Sequence, residues 1–166
     1  MTINRQLVVF VLLALGVTVA AQSKPDFSGI WAPGAIKTKT AVAEGGSAGL
    51  PPSDLTIQHT AAALAVSSTY FDIVNTQTYK LDASESTNKS GAVTYVTRSR
   101  WDGPRLVIEG KASQVTSAGY AAWTLKETYS LNARGQLILE AEHRSTDGTV
   151  TTSTQEFSRK KNTKSK

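Results

Sequence analysis

The chain has 166 residues, 40% of them hydrophobic and 19% charged, which suits one compact domain with its own core and excludes both a polytopic membrane protein and wholesale disorder. It has no cysteine and only two histidines, His59 and His143, so disulfides, thiolate metal sites, a cysteine nucleophile and a three-histidine metal centre are excluded. Its 18 basic residues outnumber 13 acidic ones, for a formal net charge of +5.

Arg5 precedes an uncharged run over residues 7–21 that ends in small residues. The run is shorter than the roughly 20 residues a membrane-spanning helix needs, so residues 1–21 read as a secretory signal peptide cleaved before Gln22. This predicts a secreted protein, periplasmic or extracellular. Residues 22–158 then form the folded domain, with 12 basic groups against 13 acidic ones, so its body is near neutral. The excess charge sits in residues 159–166, where Arg159, Lys160, Lys161, Lys164 and Lys166 read as a basic, disordered tail. Such a tail suits weak contact with an anionic envelope surface. With no basic stripe or recognition motif in the domain, nucleic acid is not expected as a partner.

Along the domain, the segment ending in Ile30-Trp31 reads as a strand, and residues 32–53, rich in Gly, Ala and Lys and closing on Pro51-Pro52, as a long loop. Period-two alternation starts at Leu55, with Leu55, Ile57 and His59 on one face. Further strand-like runs cover 64–74, 78–81, 92–101, 105–111, 120–131, 136–144 and 150–157. Asp102-Gly103, Asn132-Ala133-Arg134-Gly135 and Asp147-Gly148 are hairpin turns, since Asn, Asp and Gly tolerate the positive φ these require. The pattern predicts an all-β, antiparallel up-and-down meander of eight or nine strands. A meander of that size hides its edges best by closing into a barrel. Asn88-Lys89-Ser90 matches the glycosylation acceptor pattern, a coincidence expected in a chain so rich in Ser and Thr.

The segment Phe27-Ser28-Gly29-Ile30-Trp31 resembles the Gly-x-Trp opening of the lipocalin and avidin-like barrels, the calycin group. The resemblance implies that Trp31 plugs the closed end of a barrel and that a basic residue near the last strand packs over it; Arg159 is the residue that matches. The chain is also similar to the Asp-x-Ser-Gly-x-Trp group of secreted bacterial proteins. It shares their opening at 26–31, a proline-containing loop at Pro51-Pro52, the Leu-Thr-Ile-x-His strand at 55–59 and the Trp-Asp-Gly-x-x-Leu-x-Ile-Glu hairpin at 101–109. It departs from that pattern at Ala32, where those proteins commonly have a basic residue.

Threading the alternation through all the runs places Tyr70, Tyr95, Trp101, Trp123 and Tyr129 on one apolar face, with His59, Glu127 and His143 in phase. In a small barrel that face is the lumen, and aromatic side chains there offer apolar area with a polar tip. These eight residues are the candidate ligand-binding set, with residues 32–53 as a lid. The sequence has neither a nucleophile elbow nor a phosphate-cradling glycine loop, and no cofactor or metal is expected. The expectation is a non-catalytic binder of a small apolar or aromatic molecule. Two alternatives remain: an interaction module for an envelope polymer or protein, and a barrel enzyme with a His/Glu general base.

Overall fold

The computed structural model describes residues 23–41, 54–70, 73–117 and 119–161, except for the side chains of residues 38–41 and Tyr70. The expected signal peptide at 1–21, residues 42–53 of the expected loop and residues 162–166 of the expected tail lie outside this description. Ten strands follow one another: β1 (Gly29–Ala41), β2 (Leu55–His59), β3 (Ala63–Tyr70), β4 (Ile73–Lys80), β5 (Ser86–Ser90), β6 (Val93–Asp102), β7 (Arg105–Thr116), β8 (Gly119–Leu131), β9 (Leu137–Ser145) and β10 (Val150–Arg159). They form one antiparallel sheet in the order β4-β3-β2-β1-β10-β9-β8-β7-β6-β5. Every neighbouring pair is a sequence hairpin except β1 and β10, which join the two halves of the chain. The up-and-down meander is thereby a nearly closed barrel, compatible with a lipocalin-like fold.

The count is ten, not eight or nine, and the reasons are local. The apolar run 64–74 spans two strands, because Ile73 and Val74 open β4 as exposed residues rather than continuing β3. The strand β5, Ser-Thr-Asn-Lys-Ser, has no apolar residue and so carries no hydrophobic alternation. The expected loop over 32–53 is also corrected at its start, since β1 continues to Ala41 in register with β10. A register shift between Pro33 and Ile36 absorbs Pro33, which has no N–H to give to a ladder. Beside it Gly34 passes so close to β10 that a Cβ would lie 2.8 Å from the Glu156 carbonyl oxygen.

The barrel closes between β4 and β5, and it does so with side chains. Asn88 acts as a substitute peptide group: its Oδ1 accepts the Thr78 N–H at 2.8 Å and its Nδ2 donates to the Thr78 carbonyl at 3.0 Å. On either side of it the Lys80 N–H donates to Ser86 Oγ at 2.8 Å and Asn75 Nδ2 to Ser90 Oγ at 2.6 Å. The Ser99 hydroxyl donates to the Lys80 carbonyl. The polar alternation of β5 is therefore structural, and the Asn88 amide of the glycosylation-like triplet is occupied by the seam.

The ladders confirm the inward phase. Tyr95 opposes Ala112, Trp101 opposes Leu106, Glu127 opposes Ile108 and Ala141, and Leu125 opposes His143. The core fills one end of the barrel, where Phe27, Trp31, Leu64, Leu106, Leu137 and Phe157 are all buried. Burying side chains of this size contributes about 1.5–3 kcal/mol each. Trp31 Nε1 donates to the Phe27 carbonyl at 2.9 Å, and the Arg159 guanidinium lies over the Trp31 ring. Arg159 is thus the last residue of β10 and part of the closed end.

On the outer face, Arg100–Glu109 at 3.2 Å and Arg105–Glu140 at 2.8 Å form exposed ion pairs. Between these rows Val107 and Thr128 are buried on the outer surface of the barrel wall. Aliphatic stems of long charged side chains supply such cover. At the other end of the barrel the β7–β8 hairpin overhangs its neighbours, leaving Val115 and Tyr120 more than 70% exposed.

Candidate functional site

A cavity of about 170 Å³ lies within the barrel between the seam side and β8, lined by Leu55, Val66 and Leu139 on its apolar part and by Gln77, Tyr79, Glu127 and Tyr129 on its polar part. Alternation positions these groups: Glu127 and Tyr129 are two apart on β8, and Gln77 and Tyr79 two apart on β4, so each pair faces inward. The Tyr129 hydroxyl donates to Glu127 Oε2 at 3.2 Å. The Tyr79 hydroxyl donates to Gln77 Oε1, beside Glu127 in the lining of the same cavity.

Burial pushes the Glu127 carboxyl above the ordinary carboxylate range, and the two tyrosine hydroxyls only partly offset this. The same burial, with the nearby carboxylate, raises Tyr79 and Tyr129 well above a free phenol, and Tyr95 is raised for the same two reasons. Among the described residues two further inward-phase groups are buried without a hydrogen-bond partner: Thr97 Oγ1 and Gln155 Nε2. Buried polar atoms in this condition are uncommon, and they mark the barrel interior as incompletely satisfied by its own side chains.

Other candidates fall elsewhere. His59 and Trp101 belong to the closed end, where His59 stacks on Phe27 at 5.6 Å and on Trp101 at 5.9 Å between ring centroids. The Phe27 N–H donates to His59 Nδ1 at 3.3 Å, which leaves the proton of the neutral ring on Nε2. Asp26 Oδ1 lies 3.6 Å from the same nitrogen, and its carboxyl is held below the usual range chiefly by hydrogen bonds from Ser28. Asp26, His59 and Trp101, with Lys24 over the Trp101 ring at 5.1 Å, line an external pocket of about 350 Å³.

Trp123 and His143 sit toward the open end. Trp123, half-buried, lines a third depression of about 310 Å³ together with the outward Val96 and Tyr120. His143 is exposed on β9, although desolvation of part of its ring pulls it below the ordinary imidazole value. Tyr95 is half-buried on β6, within electrostatic reach of Glu127. Tyr70 holds an inward register position opposite Ile73, and its side chain lies outside the described residues. The eight candidates thus divide: Glu127 and Tyr129 meet in the central cavity with Tyr95 near them, while His59 with Trp101, and Trp123 with His143, belong to the two ends.

Among the described residues neither histidine bonds Glu127, and no three acidic or histidine side chains converge in a metal-binding group. The His/Glu pair that a general-base mechanism would need is therefore not assembled. Sequence reasoning passed over Tyr79 and Gln77, although Asn75, Gln77 and Tyr79 alternate with Val74, Thr76 and Thr78 and could have been threaded on that basis. The burial of Phe27 has no periodic signal in the sequence because it precedes the first strand. No protein-family model matches this chain, and no curated protein is significantly similar to it.

Proposed function

We propose that this protein is an exported, lipocalin-like carrier that binds a small molecule with an aromatic or apolar body in the lumen of its barrel. The observation that carries this reading is the central cavity, a half-apolar, half-polar space in which the Glu127 carboxyl and the Tyr129 and Tyr79 hydroxyls converge. Its volume of about 170 Å³ is close to the roughly 150 Å³ at which an engineered apolar cavity holds benzene, so a single ring with one polar substituent is the matching size. The Gly29-x-Trp31 opening with Arg159 over the indole supports placing the chain with the calycin barrels.

In this mechanism Leu55, Val66 and Leu139 take the apolar body, Glu127 and Tyr129 orient the polar end, and no bond is made or broken. The test is to incubate the purified protein with an extract of the producing cells, repurify it and weigh it intact under native conditions. A specific adduct lost in Ser68→Leu, which fills the cavity wall, supports the reading; adducts equally present in that variant count against it.

A second reading, an interaction module, draws on the exposed apolar residues Val115 and Tyr120 on one hairpin and Ile73 and Val74 at the start of β4. Under that reading the basic tail would add contact with an anionic envelope surface.

A further inference from the structure

The central cavity has a charge imbalance that its own residues do not correct. Among the described residues Glu127 is the only acid lining it, and no lysine, arginine or histidine shares that lining. Among the described residues its hydrogen bond comes from the Tyr129 phenol, while the Tyr79 phenol beside it donates to Gln77. Lys126 on the same strand and Arg105 and Arg144 on its two neighbours lie on the outer face, where they pair with Glu109, Glu140 and Glu142. Glu127 is half-buried, and a carboxylate partly withdrawn from water is destabilising unless an opposite charge accompanies it. Tyrosine rings beside such a carboxylate also present negative π-faces, the combination by which proteins hold ammonium groups.

We propose that the ligand of the lumen is a small amine, a single-ring or similarly compact organic cation whose ammonium pairs with Glu127 between Tyr79 and Tyr129. This rests on the lumen-binding reading above and adds the chemical class. The ammonium supplies the countercharge that Glu127 lacks, its N–H groups meet the carboxylate oxygens, and its apolar body lies against Leu55, Val66 and Leu139. A carboxylate-bearing ligand of the same size would meet Glu127 with like charge and be rejected.

The experiment is calorimetric titration of the purified protein, its Glu127→Gln variant and its Ser68→Leu variant with benzylamine, benzyl alcohol and benzoate at neutral pH. The expected result is that benzylamine binds at least tenfold more tightly than benzyl alcohol, with benzoate not detected. Glu127→Gln should remove the preference for the amine while still binding the alcohol, which shows that the variant is folded and its cavity open. Ser68→Leu should weaken both. If the alcohol binds as well as the amine, or the preference survives Glu127→Gln, the amine assignment is overturned while lumen binding stands. If none of the three compounds binds, or binding ignores Ser68→Leu, the lumen reading falls together with the assignment.

Discussion

The guanidinium carbon of Arg159 lies 4.4 Å from the ring centroid of Trp31, joining the last residue of the last strand to the first turn of the first strand. The same guanidinium donates to the Ser28 carbonyl and reaches the Asp26 carbonyl at 3.4 Å. Gly29 makes room for it: its φ is +139°, and a Cβ there would lie 2.8 Å from Arg159 Nη1. The Gly-x-Trp motif and the distant arginine are thus one packing unit. A cation–π contact contributes about 0.5–2 kcal/mol, and charge-assisted hydrogen bonds add to it. Arg159→Ala should therefore lower stability by about 2 kcal/mol in chemical denaturation and open the Trp31 end to solvent, which Trp fluorescence would register. Arg159→Lys should recover only part of this, since lysine has no planar fork to lie over the ring.

The seam between β4 and β5 depends on Asn88 offering both a donor and an acceptor to Thr78. Asn88→Ala should cost about 1–2 kcal/mol and speed hydrogen exchange at the Thr78 amide, while amides in the β7–β8 ladder keep their protection. Asn88→Asp retains the acceptor and loses the donor, so Thr78 protection should fall less than in the alanine variant. Uniform loss of protection around the barrel would show instead that the seam is not a separable element.

Glu127 gives a pH prediction whose sign follows from its burial. Its folded value is raised above the ordinary one of 4.5, so the folded state holds the proton more tightly than the unfolded chain does. Stability from this group is fully present below pH 4.5 and is lost as pH rises through the folded value. Glu127→Gln, which cannot ionise, should melt higher than the parent protein at neutral pH in the absence of ligand. That difference should shrink toward zero as pH falls below the carboxylate range. Thermal melts of both proteins across that range check it, and a parent protein that gains stability with rising pH relative to the variant would contradict the assignment.

Much of the barrel is legible in the sequence because side-chain alternation has a period of two and needs no knowledge of partners. The runs through Trp101, Ile108, Glu127 and Leu139 share one face in the ladders as they do in the alternation. The Gly103, Gly135 and Gly148 turns have the positive φ their dipeptides suggest. Where the pattern fails, polar side chains are doing backbone work or a neighbour supplies the ladder. β5 faces its serines and Asn88 toward a seam, and the second half of β1 is held by β10 rather than by hydrophobic alternation.

The candidate site was legible only in part for a different reason. A shared face does not fix height along the barrel axis, so His59, Glu127 and His143 have the same phase yet sit at different levels. Height is set by register, and register depends on where each turn falls. The split of residues 64–74 into two strands is what carries Gln77 and Tyr79 to the level of Glu127, and that split has no strong turn signal in the sequence.

The claim that most of this account rests on is that a ring-sized molecule enters the barrel between Glu127 and Leu139. Methyl-detected NMR of the purified protein, titrated with toluene, benzyl alcohol and benzylamine, tests it directly. The account predicts saturable shifts of the Leu55, Val66 and Leu139 methyls for at least one compound, with Val96 and Val115 on the outer surface unmoved. Shifts confined to Val96 and Val115, or no saturable shift from any compound, would contradict it.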